Sequence, residues 1–322
     1  MLCINQTNTN PYFNIASEEY LLKNISEDIF MLYVNEPSVI VGKHQNTFAE
    51  INYGLAKQKD IKVVRRLSGG GAVYHDLGNL NFTFIKNSKE GKLVDFRGYT
   101  KPIIEFLREF GIDASFEGHN SIYANGKKVS GNAEHVFKNR VMHHGTLLFD
   151  TNMQLLAELL YVSTNRYVDQ AVKSVRANTV NLSELLPSEI SLERFREQLI
   201  GYMDNEFSNL NKHQLTPKDN EAIYDLMTKK YTTWEWNFGY SPSYSFTREF
   251  RVKDNTATLT VDVKKGVIAS FTISGGNLSH FEREALATSL KGQQHNEEKI
   301  KKHLSKLVIS REVQHKIFKM LF

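Results

Sequence analysis

Apolar and polar positions repeat along this chain with two periods, close to four residues and close to two, and the switches between them mark out its elements. Residues 15–22 place Ile15, Ala16, Tyr20 and Leu21 among polar Ser17, Glu18 and Glu19, which predicts an amphipathic helix entered through Asn14 as its N-cap. The β-branched runs 29–34 and 38–41 are split by Asn35-Glu36-Pro37 and read as a hairpin. A helix near 48–57 leads to a strand at 61–66. Leu80, Phe82 and Phe84 then alternate with Asn81 and Thr83 over 79–85, and a helical pattern over 104–110 closes at Gly111. Asn125-Gly126 is the dipeptide best suited to the positive φ angles of a tight hairpin, and it joins strands at 121–124 and 127–130. A reversal at Asn139-Arg140 precedes a strand over 141–149, after which helices are expected near 153–161, 192–206 and 220–230.

The pattern breaks at residues 234–242. Strand-like runs at 244–252, 256–263 and 266–273 follow, joined by turns and read as a meander with helices from 278 onward. The expected fold is α+β in two units, residues 1–240 and 241–322, the second small. A length of 322 residues suits two domains. A composition of 41% hydrophobic and 24% charged residues excludes disorder and fibrous structure.

No apolar run approaches the length of a membrane span, roughly 18 residues or more. The start of the chain also lacks a basic stretch followed by an apolar core. A location in the cytoplasm, without a membrane, is expected. The single cysteine, Cys3, forms no internal disulfide, which fits that compartment. Net charge is +4, and residues 291–322 hold eight basic against three acidic positions. These lysines alternate with Ile300, Leu304, Leu307, Val308 and Ile317 at helical spacing rather than with stacking aromatics. A solvated helix face is expected, or a patch for an acidic protein, but no nucleic-acid partner.

The most unusual segment is RRLSGGGAVYHD at 65–76, between two strands. Three successive glycines cost backbone entropy and pack nothing, so close approach to the backbone is the reason expected for them. The loop is read as an anion or nucleotide cradle, with the N–H groups of Gly69, Gly70 and Gly71 donating, Ser68 donating and Arg66 supplying a bidentate charge. Neither the Walker pattern nor the dinucleotide glycine spacing is present. After the Asn125-Gly126 turn, Lys127 and Lys128 face opposite sides of a strand, so one can enter a site; strand alternation alone leaves the choice open. Such a lysine would stabilise charge on a transferring acyl or phosphoryl group. His143 and His144 also point to opposite faces, which disfavours a shared metal and suggests one core histidine and one at a cleft, with Gly145 admitting a ligand to the backbone. Ser68 with His75 and Asp76 lacks the nucleophile elbow of a hydrolase.

Taken together, these segments resemble the lipoate-protein ligase family. The resemblance rests on NEPSVIVGKHQN at 35–46, the 65–76 loop continued by Gly78, Asn79 and Phe82-Thr83-Phe84, KVSG at 128–131, HHGT at 143–146, KSVR at 173–176 and VNL at 180–182, with a 234–242 junction like that of bacterial ligases carrying an accessory domain. It implies a biotin/lipoyl ligase-like mixed sheet with flanking helices and a small α+β C-terminal accessory domain. It implies ATP-dependent activation of lipoate to lipoyl-AMP with Mg2+, then transfer to a lysine of an acceptor lipoyl domain, in a 2-oxoacid dehydrogenase E2 subunit or the glycine cleavage H protein, by a monomer. Carried over by position, Lys128 contacts the lipoyl carbonyl and α-phosphate oxygens. Arg66, Ser68, Gly70, Gly71, Val73 and His75 line the lipoyl and phosphate cleft, and Asn79, Asn120, Ser130, Gly131, His144, Gly145 and Thr146 bind lipoate or border the adenylate. Val41, Leu67, Val73 and Val129 are expected to line the slot for the dithiolane tail. The family's usual Asn-Asp pair is Asn120-Ser121 here, which leaves the metal ligands unknown. The alternatives are a non-catalytic binding paralogue and an ATP-independent transferase, for which Cys3 is the sole cysteine.

Overall fold

The computed structural model describes residues 1–88, 94–162, 167–208 and 210–322. Eight strands form the main sheet, in the spatial order Asn211–Lys212, Leu2–Asn5, Ile29–Val34, Asn79–Asn87, Arg140–Leu148, Lys127–Phe137, Ser121–Ala124 and Ala114–Glu117. The first three run parallel and the remaining pairs antiparallel, so the sheet is mixed. A second sheet sets Ser38–Val41 between Lys62–Arg65, parallel, and Val73–His75, antiparallel. The expected 29–41 hairpin is therefore not one: its two strands lie in different sheets, because the intervening turn carries the chain across a layer.

Between these layers runs the helix Pro11–Asn24. It begins earlier than expected, with Asn10 as the N-cap accepting from Tyr12 and Phe13 backbone N–H and Pro11 in the first turn. Asn14 is interior to it and buried. The helix is covered on both sides, so Ser17, Glu18 and Glu19 are buried too. Its polar positions face other protein groups rather than water.

The Asn125-Gly126 turn adopts positive φ at both residues, 51° and 71°. That is the conformation the dipeptide predicts. On the far face of the main sheet, helices Phe96–Glu109 and Leu192–Glu206 bury Phe106, Phe195, Leu199 and Met203 against Phe82, Phe84 and Leu147. Among the described residues no helix is long and apolar enough to cross a membrane.

The C-terminal sheet is the expected meander, Tyr244–Val252, Asn255–Lys264 and Val267–Gly275, packed against helices His280–Leu290, Glu297–Leu304 and Arg311–Leu321. Ile300, Leu304 and Ile317 are buried and the lysines around them face out, whereas Val308 is exposed. A fourth strand, Val168–Asp169, joins this sheet from the preceding part of the chain. Phe48 likewise packs in its core. Arg65 ties residues 42–47 to residues 236–241: its buried guanidinium donates to the carbonyls of Gly42, Lys43, Gln45, Trp236 and Asn237 and to the hydroxyls of Thr47 and Ser241.

Candidate active site

A cavity of about 390 Å³ opens where the two N-terminal sheets meet the 172–175 segment. Arg66, Gly70, Gly71, Val73, His75, Asn120, Lys128, Gly131, His144, Gly145 and Thr146 all line it, drawn from segments far apart in the chain. Ser68, Asn79 and Ser130 do not. They are buried one layer behind: Ser68 bonds Arg66 and His144, Asn79 donates to Asn81, and the Ser130 hydroxyl accepts from Asn132. Of the apolar residues expected in the slot only Val73 lines the cavity; Val41, Leu67 and Val129 belong to separate packed cores. Ile15, Ile40 and Ala72 supply apolar wall instead.

Arg66 does not hold out a bidentate charge. Its Nε donates to Ser68 Oγ (2.9 Å), Nη1 to the Ile40 carbonyl (3.0 Å), and Nη2 to the carbonyls of Gly69 (2.6 Å) and Gly71 (2.8 Å). The guanidinium thus folds the glycine loop from inside, turning its carbonyls inward. Among the described residues the N–H groups of Gly70 and Gly71 meet no acceptor. Gly70 needs its positive φ of 85°, and a Cβ on Gly71 would press on Ser174 at 3.0–3.2 Å. Burial pulls the Arg66 pKa down to about 10, opposed by the nearby Glu18 carboxylate, so the cation persists at neutral pH.

Ser68 Oγ lies 2.6 Å from His144 Nε2, and His144 Nδ1 lies 2.9 Å from Glu18 Oε2. Glu18 Oε1 also accepts from Tyr33 (3.1 Å) and Thr83 (2.6 Å). Serine, histidine and carboxylate stand in triad order, but Ser68 is 1% exposed and already accepts from Arg66. This row therefore fixes the His144 ring rather than offering a nucleophile. Asp76 takes no part, accepting from the N–H groups of Gly78 and Asn152 in a turn.

His75 is 3% exposed, and its Nδ1 accepts from Asn35 Nδ2 at 2.9 Å, which leaves the hydrogen on Nε2. His75 lines the cavity, and its Nε2 is itself buried with no partner among the described residues. Desolvation, with Arg66 and His144 adding repulsion, pulls the pKa of His75 down to about 3, so it is a neutral N–H donor at physiological pH.

The structure decides between the two lysines. A bulge pairs Ile122 with Ser130 and Tyr123 with Lys128, skipping Val129, and this re-aims Lys128 inward while Lys127 stays exposed. The Lys128 side chain lies across Gly131, where an added Cβ would meet Cε and Nζ at 3.4 Å. Its backbone is pinned by Asn178 and Val180. Among the described residues Nζ has no hydrogen-bond or ion-pair partner, and burial lowers its pKa.

Gly145 serves packing more than ligand approach: a Cβ there would fall 2.3 Å from Asn132 Oδ1 and 2.4 Å from Phe82 Cζ. Sequence reasoning missed Tyr33, Asn81, Asn132, Lys173 and Ser174 in the wall, and Glu18 behind it. Ser174 was within reach through the KSVR run; its hydroxyl accepts from Ala72 N–H (2.9 Å) and donates to Glu50 (2.5 Å), seating 172–175 on the glycine loop. No Asp or Glu lines the cavity among the described residues, and none of these form a cluster suited to a metal ion.

The whole chain has known relatives. A family model for the lipoyl protein ligase A/B catalytic domain matches residues 10–204, and one for the bacterial lipoate protein ligase C-terminus matches residues 241–320. Lipoate-protein ligase LplJ of Bacillus subtilis is 38% identical over 311 residues, with 91% of this chain and 94% of that protein covered. Among solved structures, P. falciparum LipL1 in complex with lipoate is similar with a TM-score of 0.65 and 25% identity, covering 99% of this chain and 98% of that one. A lipoate-protein ligase A bound with ATP gives a TM-score of 0.64 and 27% identity, covering 74% of this chain and 98% of the other. The chain belongs to the lipoate-protein ligase family.

Proposed function

We propose that this ligase activates lipoate with ATP and passes the lipoyl group to a lysine of an acceptor lipoyl domain, with the cavity around Lys128 as the site of both steps. In the first, a lipoate carboxylate oxygen bonds to the α-phosphorus and the bond to pyrophosphate breaks, giving lipoyl-AMP. In the second, the acceptor amine bonds to the acyl carbon, the bond to the AMP oxygen breaks, and the amine releases a proton. An acyl adenylate is already activated, so the protein's task is to position and to hold negative charge.

The observation that carries this reading is the unpartnered Lys128 ammonium in a cavity that has no lining carboxylate among the described residues. Lys128 would hold charge on the carboxylate and α-phosphate oxygens in turn. The N–H groups of Gly70 and Gly71, which meet no acceptor among the described residues, supply further fixed donors, and Ile15, Ile40, Ala72 and Val73 give the apolar tail a wall. Magnesium carried on the nucleotide phosphates would neutralise part of their charge. Among the described residues the cavity lining offers it no carboxylate. Cys3 is 4% exposed in the main core with its pKa raised chiefly by burial, which gives a thioester route no nucleophile.

Acceptors from 2-oxoacid dehydrogenases and the glycine cleavage system, a monomeric state, a cytoplasmic location and a division of domains at residue 240 belong to the same proposal. The test is to weigh a panel of apo lipoyl domains after incubation with lipoate, ATP and magnesium. A lipoyl adduct is expected only with ATP, and its rate should fall about 10²- to 10³-fold with Lys128→Ala. An adduct formed equally fast by the variant, or without ATP, would overturn the assignment.

A further inference from the structure

Behind Asn132 in the cavity wall stand His143 and Glu134, which the reaction as described does not use. Asn132 lines the cavity beside Lys128 and Asn120. Its Nδ2 donates to the Asn120 carbonyl (3.1 Å) and to Ser130 Oγ (3.2 Å), while Asn120 Nδ2 donates back to the Asn132 carbonyl (2.9 Å). The Asn120 carbonyl can only accept, so the Asn132 amide has one orientation and its Oδ1 faces His143 Nε2 at 3.2 Å. His143 Nε2 must then carry a hydrogen, and because burial keeps the ring neutral, Nδ1 accepts. Opposite Nδ1 at 2.9 Å stands Glu134 Oε1, so the hydrogen in that contact sits on the carboxyl group.

We propose that Glu134 and His143 are positioning residues: a protonated Glu134 sets the His143 tautomer, and that tautomer holds the Asn132–Asn120 clasp against the cavity. The surroundings favour this state. The His143 side chain is fully buried, stacked on Tyr99 (5.0 Å between ring centres, 16°) and Phe82 (6.1 Å, 24°), with Phe96 edge-on. The Glu134 side chain is 4% exposed, and its Oε2 has no partner among the described residues. Burial first, then repulsion from Asp95, raises the Glu134 pKa to about 7, against a backbone N–H contact that lowers it. The same burial keeps His143 neutral, with His144 adding to the effect. The titratable groups facing the pair are Asp95 and Tyr99 on the covering helix and His144 on the same strand, and none of these is a cation paired with Glu134.

A consequence follows for pH. As Glu134 ionises, its carboxylate draws the hydrogen to His143 Nδ1, and the Nε2 lone pair then faces Asn132 Oδ1. Two acceptors 3.2 Å apart repel, and an amide that rotates to donate to Nε2 turns its oxygen on the Asn120 carbonyl. The clasp weakens and substrate affinity falls as pH rises through about 7.

This inference rests on the proposed ligase function, and the experiment separates the two. In histidine-labelled protein, ¹⁵N shifts of His143, identified by their loss in His143→Gln, report which ring nitrogen carries the hydrogen. In the wild type they should change from the Nε2–H to the Nδ1–H pattern with a midpoint near 7, as the KM for lipoate rises about 3- to 10-fold. Glu134→Gln keeps a donor opposite Nδ1 at every pH, so its shifts should stay Nε2–H and its KM flat and low, with kcat unchanged in both. A wild-type tautomer that never switches, or a KM rise equal in both proteins, would refute the relay. A chain that lipoylated no acceptor at any pH would defeat the proposed function instead, leaving the tautomer measurement to decide the relay.

Discussion

Arg66 and Lys128 both border the cavity and are used in opposite ways. Arg66 is 5% exposed and commits its guanidinium to three backbone carbonyls and a serine hydroxyl. Lys128 is half-buried, and none of the described residues bonds its Nζ. A buried charge whose donors are committed to nearby carbonyls shapes the loop around it, whereas one left without partners is poised for a charge that arrives with the substrate. Residue type does not separate scaffold from chemistry here; the bonding inventory does.

The comparison breaks most visibly at Arg66. Replacing it with Ala strands the carbonyls of Ile40, Gly69 and Gly71 in the interior and should destabilise the fold by roughly 3–5 kcal/mol, read by chemical denaturation, with activity lost alongside. An Arg66→Ala protein of native stability would show that the loop holds its shape without the guanidinium. Lys128→Ala sharpens the contrast, since the transfer rate should drop as stated above while stability changes by less than about 0.5 kcal/mol. Loss of both together would mean that the ammonium has a structural partner. Gly145→Ala is expected to cost about 1–3 kcal/mol, because the new methyl group meets Phe82 and Asn132. It should also raise the KM for lipoate by disturbing the clasp, and unchanged thermal melting would rule out that packing role.

Stability should depend on pH through Glu134 as well. Its folded pKa of about 7 lies above the ordinary value of 4.5, so the folded state holds the proton more tightly and stability falls as pH rises from 4.5 through 7. Glu134→Gln lacks this loss, and its Tm should exceed that of the wild type at pH 8 by more than it does at pH 5. Equal differences at the two pH values would place the Glu134 titration elsewhere.

Much of this was legible beforehand, for reasons that individual residues make plain. Asn125-Gly126 fixes its own turn through local sterics, and alternation along the strand put the two histidines on opposite faces, where His143 meets an aromatic stack and His144 the cavity. The glycine run announced a loop with special backbone demands. Other readings failed where the partner lies far away in sequence. Glu18 and Glu19 looked like the wet face of a helix, yet Glu18 meets Thr83 and His144, and Glu19 meets Lys230 and Tyr231. Asn14 looked like a cap, yet it donates to Asn35 and so supports the His75 tautomer. No local pattern distinguishes a solvated carboxylate from one that is buried and paired.

By itself the sequence determined the period of each element, the tight turns, and the family whose segments occur here in order. Each of these depends on neighbours a few residues apart or on motifs preserved as strings. Tertiary structure alone supplied the bulge that brings Lys128, the lysine the resemblance pointed to, into the cavity, and decided that Arg66 closes on its own loop. It also decided that Val168–Asp169 completes the C-terminal sheet just before the chain reaches the cavity wall at 172–175. The physical reason is common to all three. Burial and hydrogen-bond satisfaction depend on the whole surroundings of a group, and those exist only once distant segments have packed.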